Sequence, residues 1–117
     1  MIDDRRKFGD KAEDLAAKML EEKGFKILER QFKTNIGEVD LIARDGNEIV
    51  FVEVKARHGV DYGYPEESVT TAKLKKIITV GEQYLSVNDL KRVPYRVDVV
   101  AIVYDPFEVV HLEGVGG

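Results

Sequence analysis

Phe8, Ala12, Leu15, Ala16, Met19 and Leu20 recur at three- and four-residue spacing, the period of one apolar stripe on an α-helix. The pattern predicts a helix over about Arg5 to Lys23. Gly24 stops it, because glycine enters the left-handed conformation with little strain. The period then changes. Phe25 to Phe32, Glu38 to Arg44 and Glu48 to Arg57 predict three strands, the last two rich in Val, Ile, Leu and Phe. Val50, Phe51, Val52 and Val54 make the third strand apolar on both faces, as an inner strand of a covered sheet must be. His58 to Glu67, with two glycines, two tyrosines and Pro65, reads as a loop. Leu74, Ile77, Ile78, Gly81 and Leu85 predict a second helix that starts near Thr71, a candidate N-cap, with lysines on its other side. Two more strands follow, Tyr95 to Tyr104 and Phe107 to Leu112, joined by a turn at Asp105-Pro106. Residues 1–113 therefore read as one α/β sandwich, and Gly114 to Gly117 as a frayed tail.

Composition narrows the class without naming an activity. The chain has 117 residues, 44% apolar and 34% charged, enough for one modest core. It has no cysteine, so neither a disulfide frame nor a thiolate metal site is available. No apolar run approaches the roughly 20 residues needed to cross a bilayer, and Met1 to Lys7 lack a signal-peptide apolar segment. The expectation is a cytoplasmic protein with no membrane partner. The net charge of −4 argues against a nucleic-acid binder that works by bulk charge. Its distribution softens that objection. Between Thr70 and Arg96 lie Lys73, Lys75, Lys76, Lys91, Arg92 and Arg96, against only Glu82 and Asp89.

The densest chemistry lies in Gly37-Glu38-Val39-Asp40 and Glu53-Val54-Lys55, on either side of the turn signal Asp45-Gly46. Side chains alternate along a strand, so Glu53, Lys55 and Arg57 share one face, as do Glu38 and Asp40. A two- or four-residue turn starting at Asp45 puts Asp40 on the face of Glu53, and the four-residue version sets them directly opposite. A three-residue turn splits the faces unless a bulge restores register. Two carboxylates this close repel unless a cation intervenes. Mg²⁺ suits them, since it takes one or two carboxylates and fills its other positions with water and phosphate oxygens. Lys55 could then orient or help deprotonate a water, or stabilise charge on a phosphate. The plain alternative is a sheet-face ion cluster in which Lys55 only neutralises Glu53.

Glu13 sits at the edge of the first helix's apolar stripe, where helical geometry alone predicts a solvated flank. Arg57 and the lysines that open the second helix, Lys73 among them, are candidates for phosphate contact or for a solvated surface. Arg96 and Asp98 share a strand face and could position a phosphate or form a salt bridge. Tyr62 and Tyr64 could stack on an unpaired base or simply pack the loop. His58 and His111 have no metal-ligand spacing to each other. No P-loop or dinucleotide fingerprint is present.

Four segments in this order carry a family resemblance: Gly9-Asp10-Lys11-Ala12-Glu13, Gly37 to Ala43, Phe51 to Arg57, and Arg96 to Val100. Through them the chain resembles, over nearly its whole length, the uncharacterised bacterial YraN family. Its members are predicted nucleases distantly related to archaeal Holliday junction resolvases, within the PD-(D/E)xK superfamily. The resemblance implies a restriction-endonuclease-like three-layer α/β sandwich with a mixed central sheet. It implies metal ligation by Asp40, Glu53 and Glu13, with Lys55 as the catalytic lysine and Mg²⁺ or Mn²⁺ as cofactor. The substrate it implies is DNA rather than RNA, cut at branched or non-duplex structures, and the resolvase kinship implies a symmetric homodimer. Arg96 and Asp98 belong to the matching pattern as secondary residues. Gln31 departs from the family's usual asparagine, and Val39 from the superfamily's proline. The alternative function is a non-catalytic nucleic-acid-binding or partner-binding module on the same fold.

Overall fold

The computed structural model describes residues 4–116, with side chains from Lys7 onward. Met1 to Asp3 and Gly117, the ends of the expected lead segment and tail, lie outside the described residues. Helix α1 spans Asp4–Glu22, and Gly24, at φ 96°, turns the chain into strand β1 (Lys26–Lys33). Strands β2 (Glu38–Asp45) and β3 (Glu48–Arg57) form a hairpin, and a short 3₁₀ turn at Pro65–Ser68 interrupts the expected loop. Helix α2 spans Thr71–Val87. Its N-cap is Thr70 rather than Thr71: the Thr70 side chain accepts from the Lys73 N–H. Strands β4 (Tyr95–Tyr104) and β5 (Phe107–Leu112) complete the chain.

The strands lie in the order β1-β2-β3-β4-β5, and every neighbouring pair is antiparallel except β3 and β4. That parallel pair needs a crossover, which α2 supplies. Ala12, Ala16, Ala17 and Leu20 of α1 pack on Leu41, Val50, Val52, Val100 and Ile102. Ile77, Val80, Tyr84 and Leu85 of α2 pack on the opposite face, against Ile42, Ile49, Phe51 and Val97. Three layers result, with a mixed sheet between two helices, as in a restriction-endonuclease-like sandwich. Ile49 to Val52 are fully buried, which matches the double-sided apolar run in the sequence.

Gly81 sets how closely α2 can approach. A Cβ built there would lie 2.5 Å from the Phe51 ring. Gly81→Ala therefore forces the helix or the ring to move, and we expect it to destabilise the fold by about 1–3 kcal/mol in chemical denaturation. The tail does not fray at its start. Gly114 N donates to Asp98 Oδ1 and Val115 N to the Val97 carbonyl, at 3.0 and 2.8 Å, so residues 114 and 115 are fastened to β4.

Candidate functional site

The β2–β3 hairpin takes the register that pairs Arg44 with Ile49 and Leu41 with Val52. This is the register of the four-residue turn. Asp45 and Glu48 also pair, so the connection narrows to Gly46-Asn47. Extended by one step, the same register sets Asp40 opposite Glu53, but the ladder ends at Leu41 and the strands part. Asp40 fills the fork: its Oδ2 accepts from the Val54 N–H at 2.8 Å.

Strict alternation also breaks at this point. Val39 packs in the α2 layer while Leu41, two residues on, packs in the α1 layer. Opposite the break, Gln31 has φ 52°, a left-handed conformation that costs a non-glycine residue energy. The distortion turns Gln31 toward α1, where Nε2 lies 3.4 Å from both Glu13 Oε2 and Asp10 Oδ1. Asp40 thus meets groups from both sides of the sheet. No period in the sequence signals this, because it is a local failure of the period.

The electrostatics follow from that placement. The Asp40 carboxyl is pushed up to about 8, first by burial and then by hydrogen bonding to and repulsion from Glu53; the Val54 N–H and the Lys55 ammonium only partly offset this. Glu13 is 6% exposed, not the solvated flank that helical geometry alone predicts. Burial raises its proton affinity, Gln31 lowers it, and Asp40 raises it again. Its Oε1 is buried without a hydrogen-bond partner, although the Arg30 guanidinium stands 3.5 Å away. That distance contributes charge but no directed bond. Gly9, Asp10, Glu13, Gln31, Glu38 and Asp40 line a cavity of ≈ 400 Å³ here.

On the α2 side, Lys55 has an unexpected neighbour. Lys73, expected among the lysines on the far side of its helix, turns back to the sheet. Contact with the Lys55 ammonium holds it below the usual lysine range, with Glu53 close enough to oppose that shift. Arg57 follows on the same strand at the end of β3 and lines a neighbouring cleft with His58 and Tyr62.

Arg96 does not join this group. It donates to Asp98 (3.0 Å), Glu48 (2.8 Å) and Asp45 (2.9 Å), and Glu113 lies 3.6 Å away. Burial opposes its charge, yet these carboxylates more than compensate. The salt-bridge alternative describes Arg96, not a phosphate contact. Asp98, fully buried, also accepts from His111 Nε2 at 2.8 Å, while Lys23 donates to His111 Nδ1. Asp98, His111 and Glu113 offer ligand atoms within 4.8 Å of one another, a group that could hold a metal ion. Arg96 already supplies the positive charge there, and both Asp98 oxygens have donors. Asp98→Ala removes the buried acceptor that Arg96, His111 and the Gly114 N–H share, leaving these donors short of a partner. A loss of about 3 kcal/mol in urea unfolding is expected, and a change under 1 kcal/mol would contradict this account.

Residues 12–102 match a family described as "Uncharacterised protein family UPF0102". Among curated relatives, a UPF0102 protein of Chloroherpeton thalassium is 43% identical over 84% of this chain and 76% of its own length. One from Clostridioides difficile is 47% identical over 80% of this chain and 82% of its own. One from Syntrophotalea carbinolica is 41% identical over 94% and 91%. The match excludes the first turns of α1, the last two residues of β4 and all of β5. Among the described residues, no helix is long and apolar enough to cross a membrane.

Proposed function

Since this chain belongs to UPF0102, an uncharacterised family, we propose its function from its own site: a metal-dependent nuclease that hydrolyses phosphodiester bonds in DNA. The observation that carries the reading is the meeting of Asp40 with Glu53 in the β2–β3 fork, in the field of the Lys55 ammonium. A purely structural cluster would neutralise its acids, whereas here one carboxyl is left with strongly raised proton affinity.

The donor set suits a hard divalent cation, because every candidate ligand is a carboxylate oxygen and Glu13 Oε1 is buried without a hydrogen-bond donor. Glu13, Asp40 and Glu53 would hold Mg²⁺ or Mn²⁺, which when bound supplies a more acidic water and charge neutralisation at the phosphate. The chain's own residues do the rest. Val54 N–H and Gln31 fix the orientation of the Asp40 and Glu13 carboxyls. Lys55 orients the attacking water and stabilises charge that builds on the phosphate as the water oxygen bonds to phosphorus and the P–O ester bond breaks. Lys73 adds a second cation for the same anion. The reading locates the protein in the cytoplasm. Two opposed cuts in a branched substrate would require a symmetric pair of chains.

The test is a panel of four-way junction, flap, nicked and single-stranded DNA, each with Mg²⁺ or Mn²⁺, and RNA counterparts. Cleavage of at least one DNA, abolished by EDTA, is the expected result. Inertness toward all of them with either ion sinks the nuclease reading and leaves a binding module.

A further inference from the structure

Beyond Lys55, β3 runs through Arg57 into the loop that carries His58 and Tyr62. With Phe8 of α1 these residues line a cleft of ≈ 560 Å³. Its floor is aromatic. The Phe8 and His58 rings stack at 4.3 Å, tilted by only 25°, and Tyr104 lies 5.3 Å from Phe8. Tyr62 stands at the mouth, 92% exposed. At that exposure Tyr62 contributes little to the core, and its ring is open to solvent beside the stacked pair.

The cleft is continuous with the acid site. A second depression shares Phe8 and His58 with it and adds Lys7, Lys11, Asp10 and Asp14. Asp10 in turn lines the cavity of Glu13 and Asp40. Of these acids, Asp14 is paired with Arg30 and Asp10 faces Gln31. Lys7, Lys11 and Arg57 flank the cleft, against Asp61 at its far end and Asp10 where it meets the acid cavity. Arg57 lies about 7 Å along the strand from Lys55, a span of roughly two stacked nucleotides.

We propose that the Phe8–His58–Tyr62 cleft is a subsite for one unpaired base of a single-stranded segment of nucleic acid whose backbone continues to the cavity lined by Glu13 and Asp40. The inference rests on the nuclease reading and adds to it a base-binding subsite that a perfect duplex could not fill. Every base has a π-face, so stacking on rings tolerates sequence. A base held in a duplex stack would first have to leave it. The cationic flanks suit the phosphates on either side of the docked base.

The test uses a single-stranded DNA oligonucleotide carrying 2-aminopurine, whose fluorescence falls when the base stacks, with Ca²⁺ present. Wild-type protein is expected to quench it and to bind the oligonucleotide more tightly than the blunt duplex. Tyr62→Ala, at a position too exposed to disturb the core, should weaken binding about tenfold and lose most of the quench. Tyr62→Phe should keep both. Quenching and affinity within twofold of wild type in Tyr62→Ala overturn the subsite, whether or not the protein cuts DNA. Self-association that Tyr62→Ala abolishes, without oligonucleotide binding, also overturns it, by naming a second copy as the occupant. Quenching as expected with no cleavage of any substrate upholds the subsite and removes only the hydrolysis.

Discussion

Lys55→Ala is expected to lower the single-turnover rate of DNA cleavage by about 10²–10³-fold, the size of effect seen when one fixed charge-stabilising donor is removed. Substrate affinity should change far less. The reason is where the ammonium sits. It lies in the field of Asp40 and in contact with Lys73, so it is held at the centre of the group rather than on a solvated rim. Lys73 can supply charge from α2, but its own proton is loosened by Lys55, so it cannot take over the position. Lys73→Ala should accordingly reduce affinity more than rate. The measurement is a rate at saturating protein beside a separate binding constant. Equal losses of rate and affinity in Lys55→Ala would reduce its role to phosphate binding.

The second large effect is a stability that depends on pH and on divalent ions. Asp40 binds its proton with a pKa of about 8 in the folded chain, against an ordinary value of 3.8. Between those values the folded state holds a proton that the unfolded state has released. Stability therefore falls as pH rises, by up to about 1.4 kcal/mol per pH unit for one proton. The contribution is fully present below the unfolded value and lost as pH passes the folded one. Glu13 is shifted in the same direction and adds to the slope. In EDTA, the melting temperature should drop between pH 5 and pH 8. Mg²⁺ at pH 8 should restore much of it, because a cation relieves the repulsion that the proton relieved at lower pH. Asp40→Asn should flatten the profile and remove the Mg²⁺ response, and the difference from wild type isolates this carboxyl from every other titrating group. A wild-type profile parallel to that of Asp40→Asn would mean the two acids do not interact.

Much of the architecture was legible in the chain. The bounds of β3, β4 and β5 follow from their β-branched and aromatic runs. The α1 stripe correctly marks its buried face, except that Glu13 and Ala17 are buried as well. The placements that failed share a cause. Helical phase alone put Glu13 at a solvated flank and Lys73 on the side of α2 away from the sheet, but both lie where a helix meets the irregular end of the hairpin. There the surroundings of a side chain are set by another element. Arg96 drew attention as a phosphate ligand, yet its partners Asp45, Glu48 and Glu113 come from three other parts of the chain. Spacing within β4 could reveal only Asp98.

By itself the sequence determined an α/β sandwich, the inner position of β3 and the common face of Glu53 and Lys55, because periodicity is a local property written residue by residue. The family followed from the same segments. Only the tertiary structure decided that Asp40 leaves strict alternation to fill a strand fork, that Gln31 takes a left-handed turn beside Glu13, and that the Arg96 network is closed on itself. Those outcomes depend on where strands part and which helix covers the gap, and both are settled by long-range packing.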